Sequence, residues 1–141
     1  MNKKICVIGA GRWGKNHVRT LSDLGCLAGI VDANKDTLTW FKDKYPGVRY
    51  FESLDEALAE NHDGYTVATP AETHYEIAKK VLRRRKPVLV EKPIALEASQ
   101  ARELKAISEE ERVALMVGHV MLFHPAIAKM KELIAGGKIG K

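Results

Sequence analysis

Residues 4–14 read KICVIGAGRWG, an apolar run followed by Gly9-Ala-Gly11-Arg-Trp-Gly14. The run at 4–8 does not alternate, which is the signature of a strand buried on both faces. The glycines match G-x-G-x-x-G, a pattern that common residues also produce by chance. Its surroundings give it weight. A helical stripe of Gly14, Val18 and Leu21 runs to about residue 24, and a second apolar run covers 27–31. Asp32 closes that run 18 residues after Gly14. Strand, glycine turn, helix, strand and terminal acid make a βαβ unit of the dinucleotide-binding type. In such a unit the first glycine permits the tight turn, and the second lets the backbone approach the pyrophosphate. The third lets helix and sheet come close. The helix N-terminus then presents N–H groups and a positive dipole end to the phosphates. Arg12 and Trp13, inside the turn, belong to the same cofactor-binding stretch.

Asp32 is placed to accept hydrogen bonds from the adenosine ribose hydroxyls. A carboxylate there repels a 2′-phosphate, so NAD is expected in preference to NADP, although Lys35 nearby leaves dual use open. Plainer readings exist for both features. Asp32 could serve only as a turn or helix-capping residue, and the glycines could build a strand-to-helix turn that binds nothing. A methyltransferase, also with a glycine-rich first loop and an acid after its second strand, is the nearest competitor.

Beyond Asp32, strand and helix patterns keep alternating. A helix is expected over 35–44, with Leu38, Phe41 and Tyr45 on one stripe and Pro46-Gly47 ending it. Strands follow at 48–51, 65–68, 88–90 and 113–117. Ser53–Glu56 and Thr73–Glu76 each spell a capping box at a helix start, the second opening a helix with Ile77, Ala78, Val81 and Leu82 inward. A longer helix over 96–110 buries Ala101, Leu104 and Ile107, and Pro125 opens a last helix that Gly136-Gly137 ends. Repeated β-α units with right-handed crossovers put helices on both faces of a parallel sheet. The expected fold is therefore α/β: a doubly wound Rossmann sheet of six strands in the order 3-2-1-4-5-6, with ligands at the carboxyl ends of the strands.

Composition narrows the function classes. The chain has 141 residues with 23 basic and 18 acidic side chains, a formal charge of +5. That length suits one domain able to bury a core unaided. No apolar stretch nears the ~20 residues of a membrane span, and the N-terminal apolar run is too short for a secretory signal. A cytoplasmic protein is expected. Cys6 and Cys26 lie in apolar, strand-like segments without a nearby Cys or His at metal-ligand spacing, so both are read as reduced core thiols and no metal site is expected. The densest basic run, Arg83-Arg84-Arg85-Lys86, has no interleaved aromatics. It reads as the cationic end of a helix rather than a nucleic-acid contact.

Three further segments stand at strand ends, where this fold holds its ligands. They are Thr69-Pro70 with His74 downstream, Glu91-Lys92-Pro93, and Gly118-His119. A lysine pinned between a strand and a proline at the mouth of a nucleotide crevice is suited to hydrogen-bond or deprotonate a substrate hydroxyl. Its plain alternative is a surface lysine in a proline-bounded turn.

Taken together, strand–GxGxxG–helix, the Ala-Thr-Pro run with His74, and Glu91-Lys92-Pro93 resemble the Gfo/Idh/MocA oxidoreductases. The likeness covers the whole chain, and Glu-Lys-Pro after a fifth strand is its most specific part. Residues 117–126, VGHVMLFHPA, further resemble the branch that acts on nucleotide sugars, such as UDP-N-acetylglucosamine 3-dehydrogenases. The resemblance implies NAD(P)-dependent interconversion of a sugar or cyclitol hydroxyl and a ketone. It makes Lys92 the catalytic lysine, positioned by Glu91 and Pro93, with the Lys92–Pro93 bond a candidate for the cis form. Thr69, Pro70 and His74 would line the cofactor crevice, and His119 would face the nicotinamide or the substrate. His74 also reads as a hydrogen-bonding structural residue, and His124 as a cap for the helix at Pro125.

Family members continue into a second, substrate-binding domain. The expectation is a Rossmann domain over 1–135, with 136–141 beginning the crossover to a domain not contained in these residues. Such a chain should bind NAD yet turn over little alone, because hydride transfer needs a held substrate in a water-poor site. Baring Ile127, Met130 and Ile134 should favour a homo-oligomer. A small-molecule sugar or nucleotide sugar is the expected substrate, with no nucleic acid or membrane partner. The alternative is a non-catalytic, NAD-responsive regulatory module.

Overall fold

Six short apolar segments form one parallel sheet in the computed structural model, which describes residues 3–139. They are β1 (Ile5–Ile8), β2 (Leu27–Val31), β3 (Arg49–Phe51), β4 (Gly64–Val67), β5 (Val88–Val90) and β6 (Leu115–Val117). The order is β3-β2-β1-β4-β5-β6, as the repeating pattern implied. Crossovers run through α1 (Gly14–Asp23), α2 (Lys35–Lys44), α3 (Leu54–Leu58), α4 (Ala71–Arg83) and α5 (Ala98–Glu111). A 3₁₀ turn at Val120–Phe123 leads into α6 (Pro125–Ala135).

The sheet buries both faces because neighbouring side chains on a strand point oppositely. Val7 joins Val18, Ile30, Leu38 and Phe41 in one cluster. Cys6 and Ile8, on either side of it in β1, join the other cluster with Val67, Ala78, Val81, Val90 and Leu104. Reversal of strand order between β1 and β4 opens a crevice at the carboxyl edge.

Several local expectations are corrected. Thr73 does not cap α4. Pro70, its φ already near the helical value, is the N-cap, so Thr73 falls in the first turn. Its hydroxyl donates to the Pro70 carbonyl at 2.7 Å. The Ser53 cap does form, accepting from the Glu56 N–H at 3.3 Å, but Glu56 reaches back to the Glu52 N–H instead of that of Ser53. Cys26 is only half-buried and precedes β2, its thiol donating to the Leu24 carbonyl. Cys6 is the core thiol, and burial pushes it up to about 12. Residues 113 and 114 lie outside β6. Arg112 turns left-handed at φ 55°, and Val113 is bonded through both its N–H and its carbonyl to Ser108, closing α5.

The basic run ends α4 as expected. Arg83 pairs with Glu110 and Glu111, Arg85 pairs with Glu111, and Lys86 donates to the His62 carbonyl. Exposed pairs of this kind each contribute little to stability. His124 caps α6, accepting from the Ala126 N–H. No residue of α6 is buried, and Met130 and Ile134 are half exposed or more. Of the expected crossover at 136–141, residues 140 and 141 lie outside the described part. No described helix is long and apolar enough to cross a membrane.

Candidate functional site

The glycine turn closes on itself tightly. Gly9 adopts φ +86°, a left-handed conformation that suits glycine, and a Cβ there would lie 2.8 Å from the Thr69 N atom. At Gly14 a Cβ would stand 1.8 Å from the Gly9 carbonyl oxygen. The third glycine therefore lets α1 sit on the turn itself as well as on Ala68 at the end of β4. Gly11 differs: nothing lies within 4 Å of its Cβ position.

Asp32 ties β2 to that turn. One carboxylate oxygen accepts from the Ala10 N–H at 2.8 Å and the other from the Asn34 N–H at 2.9 Å. Asn34 in turn caps α2 by accepting from the Asp36 and Thr37 N–H groups. Asp32 thus does hold a turn, and its two oxygens keep lone pairs for ribose hydroxyls. It borders a cleft of about 510 Å³ with Gly9, Gly11, Arg12, Thr69 and Pro70.

A second cleft of about 350 Å³ adjoins the first, sharing Trp13, Ala68 and Thr69 with it. Its walls also carry His74, Glu91, Lys92 and Gly118. Each volume falls in the range of small-molecule pockets, and together they provide room for the two halves of a dinucleotide. The fit to NAD rests on these paired clefts, the glycine turn between them and the Asp32 carboxylate.

His74 is buried, 2% exposed, with Nδ1 2.7 Å from the Pro93 carbonyl and Nε2 2.8 Å from the Thr69 carbonyl. It therefore braces the Thr69 loop against the cis Lys92–Pro93 peptide. Carbonyls only accept, so both contacts are hydrogen bonds only in the ring that carries two protons. Lys92 itself is exposed on the rim of the second cleft. His119 is exposed too and does not line either cleft, although its neighbours Gly118 and Val120 border the second.

A profile of the oxidoreductase family with an NAD-binding Rossmann fold, GFO_IDH_MocA, matches residues 3–119. The chain belongs to the Gfo/Idh/MocA oxidoreductase family. The UDP-N-acetylglucosamine 3-dehydrogenase of Acidithiobacillus ferrooxidans is 31% identical over 126 residues, covering 89% of this chain and 40% of that protein. Inositol 2-dehydrogenase 2 of Saccharopolyspora erythraea is 32% identical over 149 residues, covering 100% of this chain and 43% of that protein. Among solved structures, the WlbA dehydrogenase from Bordetella pertussis, in complex with NADH and UDP-GlcNAcA, superposes with a TM-score of 0.91. It is 28% identical, over 100% of this chain and 44% of its own length. The chain thus spans less than half the length of these relatives. It is a Gfo/Idh/MocA domain of the NAD-binding Rossmann type.

Within this Gfo/Idh/MocA domain, sequence reasoning missed His17. The imidazole lies one turn into α1, with Nε2 2.7 Å from Glu91 Oε1. The same oxygen accepts from the Trp13 indole N–H at 2.5 Å. Its only sequence signal was a polar ring three residues after Gly14, beside the helix stripe that faces the sheet. The partner, 74 positions away, left no local trace.

Proposed function

We propose that these residues form the cofactor half of an oxidoreductase that moves hydride between NAD and a hydroxyl-bearing carbon of a sugar or nucleotide sugar. The observation that carries this reading is the position of Lys92. It stands on the rim of a cleft that continues into the glycine-turn cleft, beside the buried Glu91. NAD, when bound, supplies the hydride acceptor or donor at its nicotinamide. Gly9, Gly11 and Gly14 give the pyrophosphate a close backbone approach, with Arg12 and Trp13 beside it. Asp32 accepts from the ribose hydroxyls and disfavours a 2′-phosphate. Thr69, Pro70 and His74 shape the wall between the two halves. Lys92 hydrogen-bonds the substrate hydroxyl and takes its proton during oxidation, or returns it during reduction. His119 is assigned to the substrate side. The relatives named for UDP-N-acetylglucosamine and inositol support the substrate class.

Residues that hold and cover the sugar are supplied by a further domain in this reading, so turnover by residues 1–141 alone is negligible. Residues 1–135 are the cofactor unit and 136–141 the lead into that domain. Cytoplasmic placement, with reduced thiols at Cys6 and Cys26, belongs to the same proposal. So does self-association through the exposed apolar side chains of α6.

The test is a chimera in which these residues replace the corresponding part of the Acidithiobacillus ferrooxidans UDP-N-acetylglucosamine 3-dehydrogenase. NADH formation with nucleotide sugars and cyclitols is followed alongside NADH affinity. Turnover that Lys92→Met abolishes, with NADH binding retained, supports the reading. A folded chimera that binds NADH and never turns over, whatever stands at position 92, favours a non-catalytic module. Binding of S-adenosylmethionine in place of NADH would contradict both.

A further inference from the structure

Among the described residues, Glu91 is the one buried acidic side chain, 7% exposed. Placing a carboxylate there costs desolvation, and an apolar residue of similar size is often as stable or more so. Its value therefore lies in what its bonds connect. Oε1 takes both donors, the Trp13 indole and His17 Nε2. The opposite side rests on Gly118, where a Cβ would come within 3.0–3.2 Å of three carboxylate atoms. Four parts of the fold thus meet at one carboxylate: the glycine turn, α1, the end of β5 and the end of β6. Lys92 is the next residue along the chain.

We propose that His17 is a positioning residue for the nicotinamide half of the cleft, acting through Glu91 to fix Lys92 relative to the glycine turn. This rests on the NAD-oxidoreductase reading above. The contact is a hydrogen bond in the ring form that carries a proton on Nε2 and donates it to Glu91 Oε1. With one donor from the turn and one from α1, the carboxylate has a single well-defined setting. With the turn's indole alone the Glu91 side chain gains freedom, and the tie between α1 and the end of β5, where Lys92 follows, is lost. Asp32, at the adenosine half, accepts from the Ala10 and Asn34 N–H groups and not from this cluster, so its geometry is kept.

The two halves of the ligand therefore respond differently. The chain and its His17→Ala and His17→Gln variants are titrated with NADH and with ADP-ribose, which lacks the nicotinamide. Acetylation of Lys92 by acetic anhydride is read by mass spectrometry with each ligand present. In the unaltered chain NADH slows Lys92 acetylation and ADP-ribose does not. In His17→Ala the ADP-ribose affinity stays within about twofold, NADH affinity falls by roughly tenfold, and protection of Lys92 is lost. His17→Gln, whose amide donates in place of the ring, restores most of both. His17→Phe keeps a ring but has no donor, and shows the same selective loss as His17→Ala.

Equal weakening of NADH and ADP-ribose, or unchanged Lys92 protection in His17→Ala, overturns the proposal. Should His17→Ala fail to fold, His17→Gln and His17→Phe decide: selective loss in His17→Phe with near-normal behaviour in His17→Gln supports it, and any other pattern refutes it. Failure of the unaltered chain to bind NADH overturns the cofactor reading itself, and the proposal with it. That failure is visible before any variant is made.

Discussion

Alanine at Gly14 and alanine at Gly11 should break different things, although the two glycines are three residues apart in one turn. At position 14 the new Cβ meets the Gly9 carbonyl oxygen at 1.8 Å and the Gly9 carbonyl carbon at 2.8 Å. That gap has to open to at least 3.0 Å, and both sides of it are backbone. Overpacking costs about 1–3 kcal/mol where side chains yield, so the upper end, about 3 kcal/mol, is expected here. For a domain of this size that lowers the melting temperature by roughly 12 °C. At position 11 nothing lies within 4 Å of the Cβ and the backbone is not left-handed. Stability should stay within about 0.5 kcal/mol of the unaltered chain, or rise slightly by restricting the unfolded state. Gly11 borders the cleft, however, and its methyl occupies the space the pyrophosphate needs. NADH affinity should fall by roughly tenfold to a hundredfold. Thermal unfolding by circular dichroism and calorimetric titration with NADH read the two effects separately. A Gly11→Ala variant that melts normally and binds NADH normally would refute the assignment of the pyrophosphate to this turn. A Gly14→Ala variant with an unchanged melting temperature would refute the close contact between α1 and Gly9.

Three other outcomes are expected. Asp32→Ala should weaken NADH binding by roughly tenfold or more and narrow the preference over NADPH, measured by paired titrations. An unchanged NADH/NADPH ratio would leave Asp32 as a turn residue only. Burial pushes the Cys6 thiol and the Tyr65 hydroxyl each up to about 12, above their ordinary 9.0 and 10.0. Their folded values exceed the unfolded ones, so this stability is full below about pH 9 and is lost as pH rises toward about 12. Urea midpoints between those limits should fall, and less steeply in Cys6→Ala and Tyr65→Phe; parallel slopes would contradict it. A thiol reagent should modify half-buried Cys26 in the native chain while Cys6 reacts only on unfolding, and equal rates at the two positions would contradict the burial of Cys6.

The sheet order and the glycine turn were legible because each is written locally. Apolar runs, helix stripes and glycine spacing all agree over residues 4–32, and right-handed crossovers leave few ways to connect them. Local signals failed where two of them competed. Thr73 carries a capping pattern, but Pro70 three residues earlier starts the helix first. Cys26 sits in an apolar stretch, yet the turn after α1 claims it before β2 begins. Within the site, the segments at the ends of β4 and β5 were readable from their place after strands. The Trp13–Glu91–His17 cluster was not, because its bonds span 78 and 74 residues and depend on how side chains of the turn, α1 and the end of β5 meet in space. The exposure of His119 was equally hidden, since it depends on how the 3₁₀ turn leaves β6.

In the proposed binding mode NAD lies along the carboxyl edge of the sheet, from Asp32 across the glycine turn to Lys92. Amide spectra of the isotope-labelled chain, recorded as NADH is added, test it most directly. Saturable shifts are expected at Gly9, Gly11, Gly14, Asp32, Thr69 and Lys92, together with the Trp13 indole N–H. Shifts confined to the opposite edge, around the cavity bordered by Lys4, Cys26 and His62, would contradict it, as would an unchanged spectrum.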